Sequence, residues 1–262
     1  NLNVIIIDNN GKTITTSKPI HNGMGFFTIK PEKGAKLYAL LSDQKVELPA
    51  VQDAGYNLIV SNRGGESIKI LAQTNQPQGL REAFIICHQK GETIAVSEPM
   101  NGEAMAFRVN KSELEDGVAQ ITLFDKSGIP LAERAIFVFH NEQQIDVNFT
   151  QNFEYFIPRT KVELDLQLAS KDTLGLEGQY CVSVVDLNEI NHHPENLDIR
   201  SYFLLNSDLT REVSNPGYYF KDFDSKKNSL LDLVMMVHGW SRIKTSEVTK
   251  VSESSGDFPI ER

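Results

Sequence analysis

The stretch from His21 to Asp43, HNGMGFFTIKPEKGAKLYALLSD, decides the fold, because its landmarks return later in the chain. The landmarks of the first copy are Asn22-Gly23, Phe26-Phe27, Gly34 and Leu41-Ser42-Asp43. Those of the second copy are Asn101-Gly102, Phe107, Gly117 and Leu123-Phe124-Asp125. Apolar and polar residues alternate between landmarks, and turn residues close each run. This pattern predicts repeated units of antiparallel β-strands.

The repeat predicts an all-β chain of three tandem, Ig-like antiparallel β-sandwiches, with a short helical element after the third. Polar breaks such as Ser61-Asn62-Arg63-Gly64-Gly65 set the domain boundaries. The predicted sandwiches are residues 1–61, residues 62–143, and residues 144–222 with a helical insertion. We expect residues 223–243 to form a helix packed on the third sandwich, and residues 244–262 to be a flexible tail or the start of another domain.

Several individual elements are predicted as well. Residues 24–30 alternate as a strand, and the apolar run at residues 228–238 predicts a helix that closes at Gly239. The first sandwich begins inside a strand, so we expect it to be truncated or completed by strands from elsewhere, and to be unstable alone. The predicted inward-facing residues of the second sandwich are Phe84, Ile86, Phe107, Ile121, Leu123, Ile136 and Val138.

Composition limits the classes of function. The chain has 262 residues, 40% of them hydrophobic, which is enough to build real cores. Its net charge of −9 argues against nucleic acid and anionic membrane surfaces as partners. No run of about 18 uncharged apolar residues is present, so no membrane span is predicted. The two cysteines, Cys87 and Cys181, lie in apolar β-like runs and are predicted to be free, buried thiols.

A family resemblance rests on several segments together. These are IIIDNNGKTI (5–14), ITLFDKSGIPLAER (121–134), YFIPRTKVEL (155–164), SYFLLNSDL (201–209), NPGYYF (215–220) and LLDLVMMVHGWSR (230–242). With them, the chain resembles the macroglobulin-like domain arrays of Bacteroidetes envelope proteins over about residues 3–243. Those arrays are related to the domains of alpha-2-macroglobulin, and they often continue into a carboxypeptidase-regulatory-like domain and a TonB-dependent-receptor plug domain.

The resemblance implies a scaffold in the periplasm or at the outer membrane, but it does not extend to protease trapping. Alpha-2-macroglobulins trap proteases through a Cys-Gly-Glu-Gln thioester, whereas His88-Gln89 follows Cys87 and Val182-Ser183 follows Cys181. The family also tends to have GWRR after the helix. This chain has GWSR at residues 239–242, so a contact made by the second arginine is lost.

Other candidate sites have simpler explanations. His192 and His193, with Glu189 and Glu195, supply metal-ligand types without a ligand spacing. The sequence Asp8-Asn9-Asn10-Gly11 is similar to the start of a calcium loop, but a hairpin turn explains it fully. No GxSxG, HExxH, P-loop or GxGxxG motif is present. We therefore predict no cofactor, no metal and no enzymatic activity.

Aromatic residues are the best candidates for an interaction site. They can fill a junction between domains or form an exposed surface that binds protein or glycan. The candidate interaction or domain-junction residues are Tyr218, Tyr219, Phe220, Trp240, Arg242 and Arg159. We expect a non-catalytic scaffold or interaction module that binds a protein partner or neighbouring domains of the same chain. The alternative is a module of the protease-inhibitor or glycan-binding type that lacks a thioester.

Overall fold

The computed structural model describes residues 3–140, 145–151, 157–170, 173–174, 182–186, 188–189, 193 and 195–239. Strands arranged in antiparallel sheets dominate these residues, as the sequence predicts. The chain divides into two compact units. The first contains residues 1–138 and 194–262, and the second contains residues 139–193.

The first sheet of the larger unit has four strands in the order β2-β1-β3-β4. These strands are β1 (Val4–Asp8), β2 (Thr13–Ser17), β3 (Leu37–Leu41) and β4 (Gln44–Glu47). Asp8 forms the turn after β1, because its Oδ1 accepts hydrogen bonds from the backbone N–H groups of Asn10 and Lys12, both at 2.9 Å. This carboxylate closes a hairpin, which accounts for the sequence that is similar to a calcium loop.

Two further sheets pack face to face as a β-sandwich. Their strands are β5 (Tyr56–Ser61), β6 (Ser67–Thr74), β7 (Phe84–Gln89), β8 (Glu92–Val96), β9 (Ala104–Asn110), β10 (Gly117–Phe124) and β11 (Pro130–Val138). One sheet has the order β11-β10-β7-β8, and the other has the order β5-β6-β9. Ile68 and Ile70 of β6 meet Ile121 and Leu123 of β10 in one buried cluster, which is the core of the sandwich.

The strand order supports the repeat seen in the sequence. The first sheet has the same strand order as the four-stranded sheet of the sandwich. Its strands β1, β2, β3 and β4 take the places of β7, β8, β10 and β11, respectively. Both sheets therefore share one arrangement, in which the first hairpin of each copy lies beside the second hairpin of the same copy. The second copy also has the three-stranded sheet β5-β6-β9 opposite.

Some predicted core positions face the other way. Ile121, Leu123, Ile136 and Val138 belong to the buried cluster and Phe107 packs against it, which confirms five predictions. The prediction that Phe84 and Ile86 face inward is wrong, because Ile85 and Cys87 of the same strand lie in the cluster instead. The run Ala83–Cys87 is apolar at every position, so alternation does not determine which face points inward.

Two predicted features before the second sandwich also differ. Strand β5 pairs with β6, so the boundary predicted after residue 61 falls inside a hairpin of one sheet. Asn62 in this connection is buried, and its Nδ2 donates to the carbonyl of Phe137 at 2.6 Å. Residues 24–30, predicted as a strand, form no strand; Met24 makes only an isolated bridge to His21.

The smaller unit has three described strands in the order β12-β13-β14. They are β12 (Asp146–Gln151), β13 (Leu164–Ser170) and β14 (Thr173–Leu174). Residues 182–186 continue the apolar, β-like run that contains Cys181, but they are not part of a strand. Cys181 lies outside the described residues.

Two α-helices complete the larger unit, α1 (Ile199–Leu204) and α2 (Ser225–His238). Asp224 caps α2, since its carboxylate accepts a hydrogen bond from the N–H of Lys227 at 2.8 Å. At the other end, Gly239 allows the end of the helix to approach β11 closely, because a Cβ at residue 239 would lie 2.9 Å from the Cβ of Ala135. The helix at residues 228–238 is thus confirmed, with an additional N-terminal turn.

The packing partner of α2 corrects the prediction. We expected this helix to cover the third sandwich, but it packs on β11 of the second. Arg134 Nη2 of β11 lies 2.7 Å from Asp232 Oδ1 of the helix, and Asn228 Nδ2 donates to the carbonyl of Asn62 at 3.1 Å. Leu231 and Val234 are fully buried on the helix side of this contact.

Candidate functional site

An aromatic cluster lies where three parts of the larger unit meet. It consists of Tyr218, Tyr219 and Phe220 together with His21 and Phe137. A short 3₁₀ turn, Pro216–Tyr219, follows Asn215, whose φ of 49° lies in the left-handed region. Tyr219 is fully buried and Phe220 is 2% exposed, so the turn directs both rings inward.

Ring contacts join the turn to both sheets. His21 stacks on Tyr218 with centroids 4.7 Å apart, and it meets Tyr219 edge-on at 5.4 Å. His21 comes from the connection that follows β2 of the first sheet. On the other side, Phe220 meets Phe137 of β11 edge-on, with centroids 5.8 Å apart. The cluster therefore ties the first sheet to the second sandwich through the helical segment.

A lysine of α2 adds a charge to this junction. Lys227 Nζ lies 3.1 Å from the centroid of the Tyr218 ring and donates a hydrogen bond to the Tyr218 carbonyl. Burial, followed by the positive charges of Lys227 and Lys226, lowers the pKa of His21, and Glu195 opposes this shift. Burial, with a smaller effect of Tyr218, raises the pKa of Tyr219 to about 12. Both shifts favour the neutral forms of His21 and Tyr219.

Two polar atoms of the cluster have no hydrogen-bond partner among the described residues. They are His21 Nε2 and the hydroxyl of Tyr219. An unpaired buried hydroxyl adds no stability, so the ring of Tyr219, not its hydroxyl, accounts for its place at the junction.

The predicted site residues fall into three groups. Tyr218, Tyr219 and Phe220 come together at the junction. Arg159 belongs to the smaller unit, where it is exposed and has a φ of 69°. Trp240 and Arg242 lie outside the described residues. His21 and Lys227 were not among the predicted residues. A single histidine gives no local signal of a contact made about 200 residues away, and a single lysine gives no local signal of a contact with a ring nine residues before it.

A groove of about 660 Å³ lies near this junction. Phe26–Ile29, residues 57–63 and Met236 of α2 line it. The ion pair of Arg134 with Asp232 also borders it. Phe26 is 48% exposed and Ile59 is 47% exposed, so apolar side chains face solvent here. A groove of this size and character suits a ligand with apolar side chains.

The part of the chain that the structure describes contains no group of three or more His, Cys, Asp or Glu residues that could hold a metal ion. His192 lies outside that part, and His193 and Glu189 are exposed within it. Cys87 is fully buried, and burial together with Glu113 raises the pKa of its thiol to about 12. A thiol with such a pKa is a poor nucleophile at neutral pH.

Comparisons with known proteins add no assignment. The chain matches no protein-family model, and the search of curated proteins gives no significant match. Among the described residues, every helix is too short or too polar to cross a lipid bilayer.

Proposed function

We propose that this chain is a non-catalytic scaffold and interaction module of the bacterial cell envelope. It consists of tandem, Ig-like sandwiches of the macroglobulin-like kind, and it belongs to a larger protein associated with the outer membrane. Its partners are a second protein or neighbouring domains of its own chain. The resemblance of segments such as 121–134 and 215–220 supports this placement.

The burial of the aromatic cluster is the observation that carries the proposal. A glycan-binding module would present a row of exposed aromatic rings on one face. Here Tyr219 and Phe220 are buried between the first sheet, the helical segment and the second sandwich. Such a joint keeps two sheets in a defined relation, and a module that positions partners needs this property. The absence of a thioester sequence argues against the protease-inhibitor alternative.

A matched pair of substitutions tests the joint. Tyr219→Ala should lower the free energy of unfolding by about 3–5 kcal/mol, as expected for a buried aromatic ring. Tyr202→Ala changes a tyrosine that is 44% exposed, and should cost less than about 1 kcal/mol. Tyr219→Phe should be close to neutral, since the hydroxyl has no partner among the described residues. Urea denaturation measures all three.

Binding and turnover assays test the rest of the proposal. We expect no saturable binding to a glycan array and no covalent adduct with proteases. If Tyr219→Ala kept full stability and instead abolished glycan binding, the residue would belong to a ligand surface. The glycan-binding alternative would then replace the scaffold.

A further inference from the structure

A row of polar side chains lies on the outer face of the four-stranded sheet of the second sandwich. Ile121 of β10 belongs to the core on the inner face. Side chains alternate along a strand, so its neighbours Gln120 and Thr122 point to the outer face. Gln120 lies opposite His88 of β7, and Thr122 lies opposite Glu133 of β11. Because directly opposite residues share a face, these four polar side chains are neighbours on the outer face.

Three of these side chains are buried with a polar atom unpaired. Thr122 is fully buried, His88 is 3% exposed and Gln120 is 6% exposed. His88 Nε2, Gln120 Oε1 and Thr122 Oγ1 have no hydrogen-bond partner among the described residues. Buried polar atoms in folded proteins are nearly always paired, because an unpaired atom loses its hydration without compensation. Three such atoms at neighbouring positions indicate a place where a polar group binds.

A pocket opens onto two of the four side chains. Gln120 and Glu133 line a cavity of about 490 Å³, and Leu131 of β11 and Met235 and Met236 of α2 line it as well. This volume is within the range of pockets that bind small ligands. The leucine and methionine side chains surround the polar groups with apolar surface. The pocket therefore suits a ligand that has a polar head and an aliphatic stem.

The groups around the pocket favour a positively charged head. Glu133 brings a carboxylate to the lining, and the last turn of α2 brings the helix C-terminus, where peptide dipoles sum to a partial negative charge. Arg134 is the only cation among the described lining residues, and its guanidinium already contacts Asp232 and the carbonyl of Ala135. Burial lowers the pKa of His88, so this ring is neutral at pH 7 and does not repel a cation.

We propose that this pocket binds a guanidinium or ammonium group on an aliphatic stem, as in an arginine or lysine side chain or a small alkyl cation. The head donates a hydrogen bond to Gln120 Oε1 and pairs with the carboxylate of Glu133, while the stem lies against the apolar lining. A guanidinium has five N–H donors and an ammonium three, so a guanidinium should bind more tightly. The inference rests on the proposed function, since it names the chemistry that an interaction module recognises in its partner.

The methionines give a direct readout by NMR. The full chain has five methionines, of which Met235 and Met236 line the pocket and Met24, Met100 and Met105 do not. In a chain labelled at its methionine methyl groups, the peptide acetyl-Gly-Arg-Gly-amide should shift the signals of Met235 and Met236 saturably. We expect a Kd on the order of millimolar, as suits one side chain in a pocket, and no shift at the other three methionines.

The same peptide with citrulline in place of arginine is the control. Citrulline keeps the shape of the side chain and removes its charge, so this peptide should bind at least about tenfold more weakly. Butylguanidinium separates the two sources of the cation. Tighter binding of the arginine peptide than of butylguanidinium identifies a protein side chain as the ligand. Equal or tighter binding of butylguanidinium identifies a small alkyl cation, and both results support the cation site.

Variants locate the site. Gln120→Leu removes the amide and keeps a side chain of similar size, so it should weaken the arginine peptide by about tenfold or more. The same variant should not lower Tm, because the amide oxygen has no partner among the described residues; a merely structural role of the amide would lower it. Glu133→Gln should weaken the peptide by about threefold to tenfold. Gln44→Leu, exposed on the edge strand β4, is the matched control and should leave binding unchanged.

The titration of the unmodified chain does not depend on a variant folding. No saturable shift at Met235 and Met236, equal binding of the citrulline peptide, or full binding by Gln120→Leu would overturn the inference. The Tyr219 series tests the joint and does not alter the pocket lining. If only the arginine peptide and butylguanidinium fail to bind, the scaffold proposal stands without this site. If Tyr219→Ala costs nothing, the scaffold proposal itself fails, whatever the pocket binds.

Discussion

At the scale of single residues, His21 connects the junction to pH. Burial, Lys227 and Lys226 lower the pKa of His21 below its ordinary value of 6.5, so folding favours the neutral ring. The unfolded chain then binds more protons as the pH falls through 6.5, and stability should fall with it. Above that pH, the stabilising contribution is fully present. Replacing the ring with one that cannot titrate should remove this part of the pH dependence.

We predict that His21→Phe makes the free energy of unfolding less sensitive to acid. Urea denaturation at about pH 5 and about pH 8 measures the difference between wild type and variant. Burial lowers the pKa of His88 and of His238 as well, so some acid sensitivity should remain in the variant. An unchanged difference between the two pH values would show that His21 does not titrate with folding.

Cys87 gives a second test at this scale. Since burial raises the pKa of its thiol to about 12, almost no thiolate forms at pH 8. We predict that iodoacetamide fails to modify Cys87 in the folded chain and modifies it readily in urea. Peptide mass spectrometry separates this site from Cys181. Rapid modification of native Cys87, or a methylamine-sensitive mass change at either cysteine, would contradict the proposal of a non-catalytic module.

At the scale of elements, α2 offers a comparison of two valines. Val234 is fully buried, whereas Val237, three residues later, is 42% exposed. We predict that Val234→Ala lowers the free energy of unfolding by about 2 kcal/mol, from lost burial and the cavity left behind. Val237→Ala should change it by less than about 0.5 kcal/mol. Equal effects of the two substitutions would mean that the helix does not pack as described.

Elements were predictable from the sequence where local signals suffice. Turn residues with alternating runs between them predicted units of antiparallel strands, and the apolar run at residues 228–238 predicted α2. The inward face of β7 was not predictable, because its apolar residues leave no alternation. Residues 24–30 carry a strand pattern without a strand, since a strand also needs a neighbour to pair with.

Longer-range features were less predictable for a physical reason. The junction brings His21 onto Tyr218 and Lys227, and no local pattern links His21 to residues so distant in sequence. The packing of α2 on the second sandwich was missed because proximity in sequence suggested the third. Residues 139–193 instead form a separate compact unit, and the residues that follow them belong to the larger unit again.

At the scale of the whole molecule, the larger unit is discontinuous in sequence. Residues 1–138 and the segment from residue 194 onwards belong to one compact unit, although 55 residues separate them. Val138, where the first part ends, lies close to α1 of the second part. Val138 pairs with Gly117, and a Cβ at Gly117 would lie 3.5 Å from the carbonyl oxygen of Leu204. From Leu204 to the N-cap Asp198, a helix of six residues extends about 9 Å.

These distances predict that residues 139–193 can be replaced by a flexible Gly/Ser linker of about twelve residues. Such a linker has a mean end-to-end distance of about 17–21 Å, which is about twice the length of α1. The replaced chain should keep the contacts of Arg134 with Asp232 and of Phe137 with Phe220, because all four residues remain. We expect cooperative unfolding and a circular dichroism spectrum with both strand and helix. A chain that fails to fold would show that the larger unit needs the smaller one for its stability. A linker of the same length inserted within the Gly64-Gly65 connection, with residues 139–193 retained, controls for the cost of the linker itself.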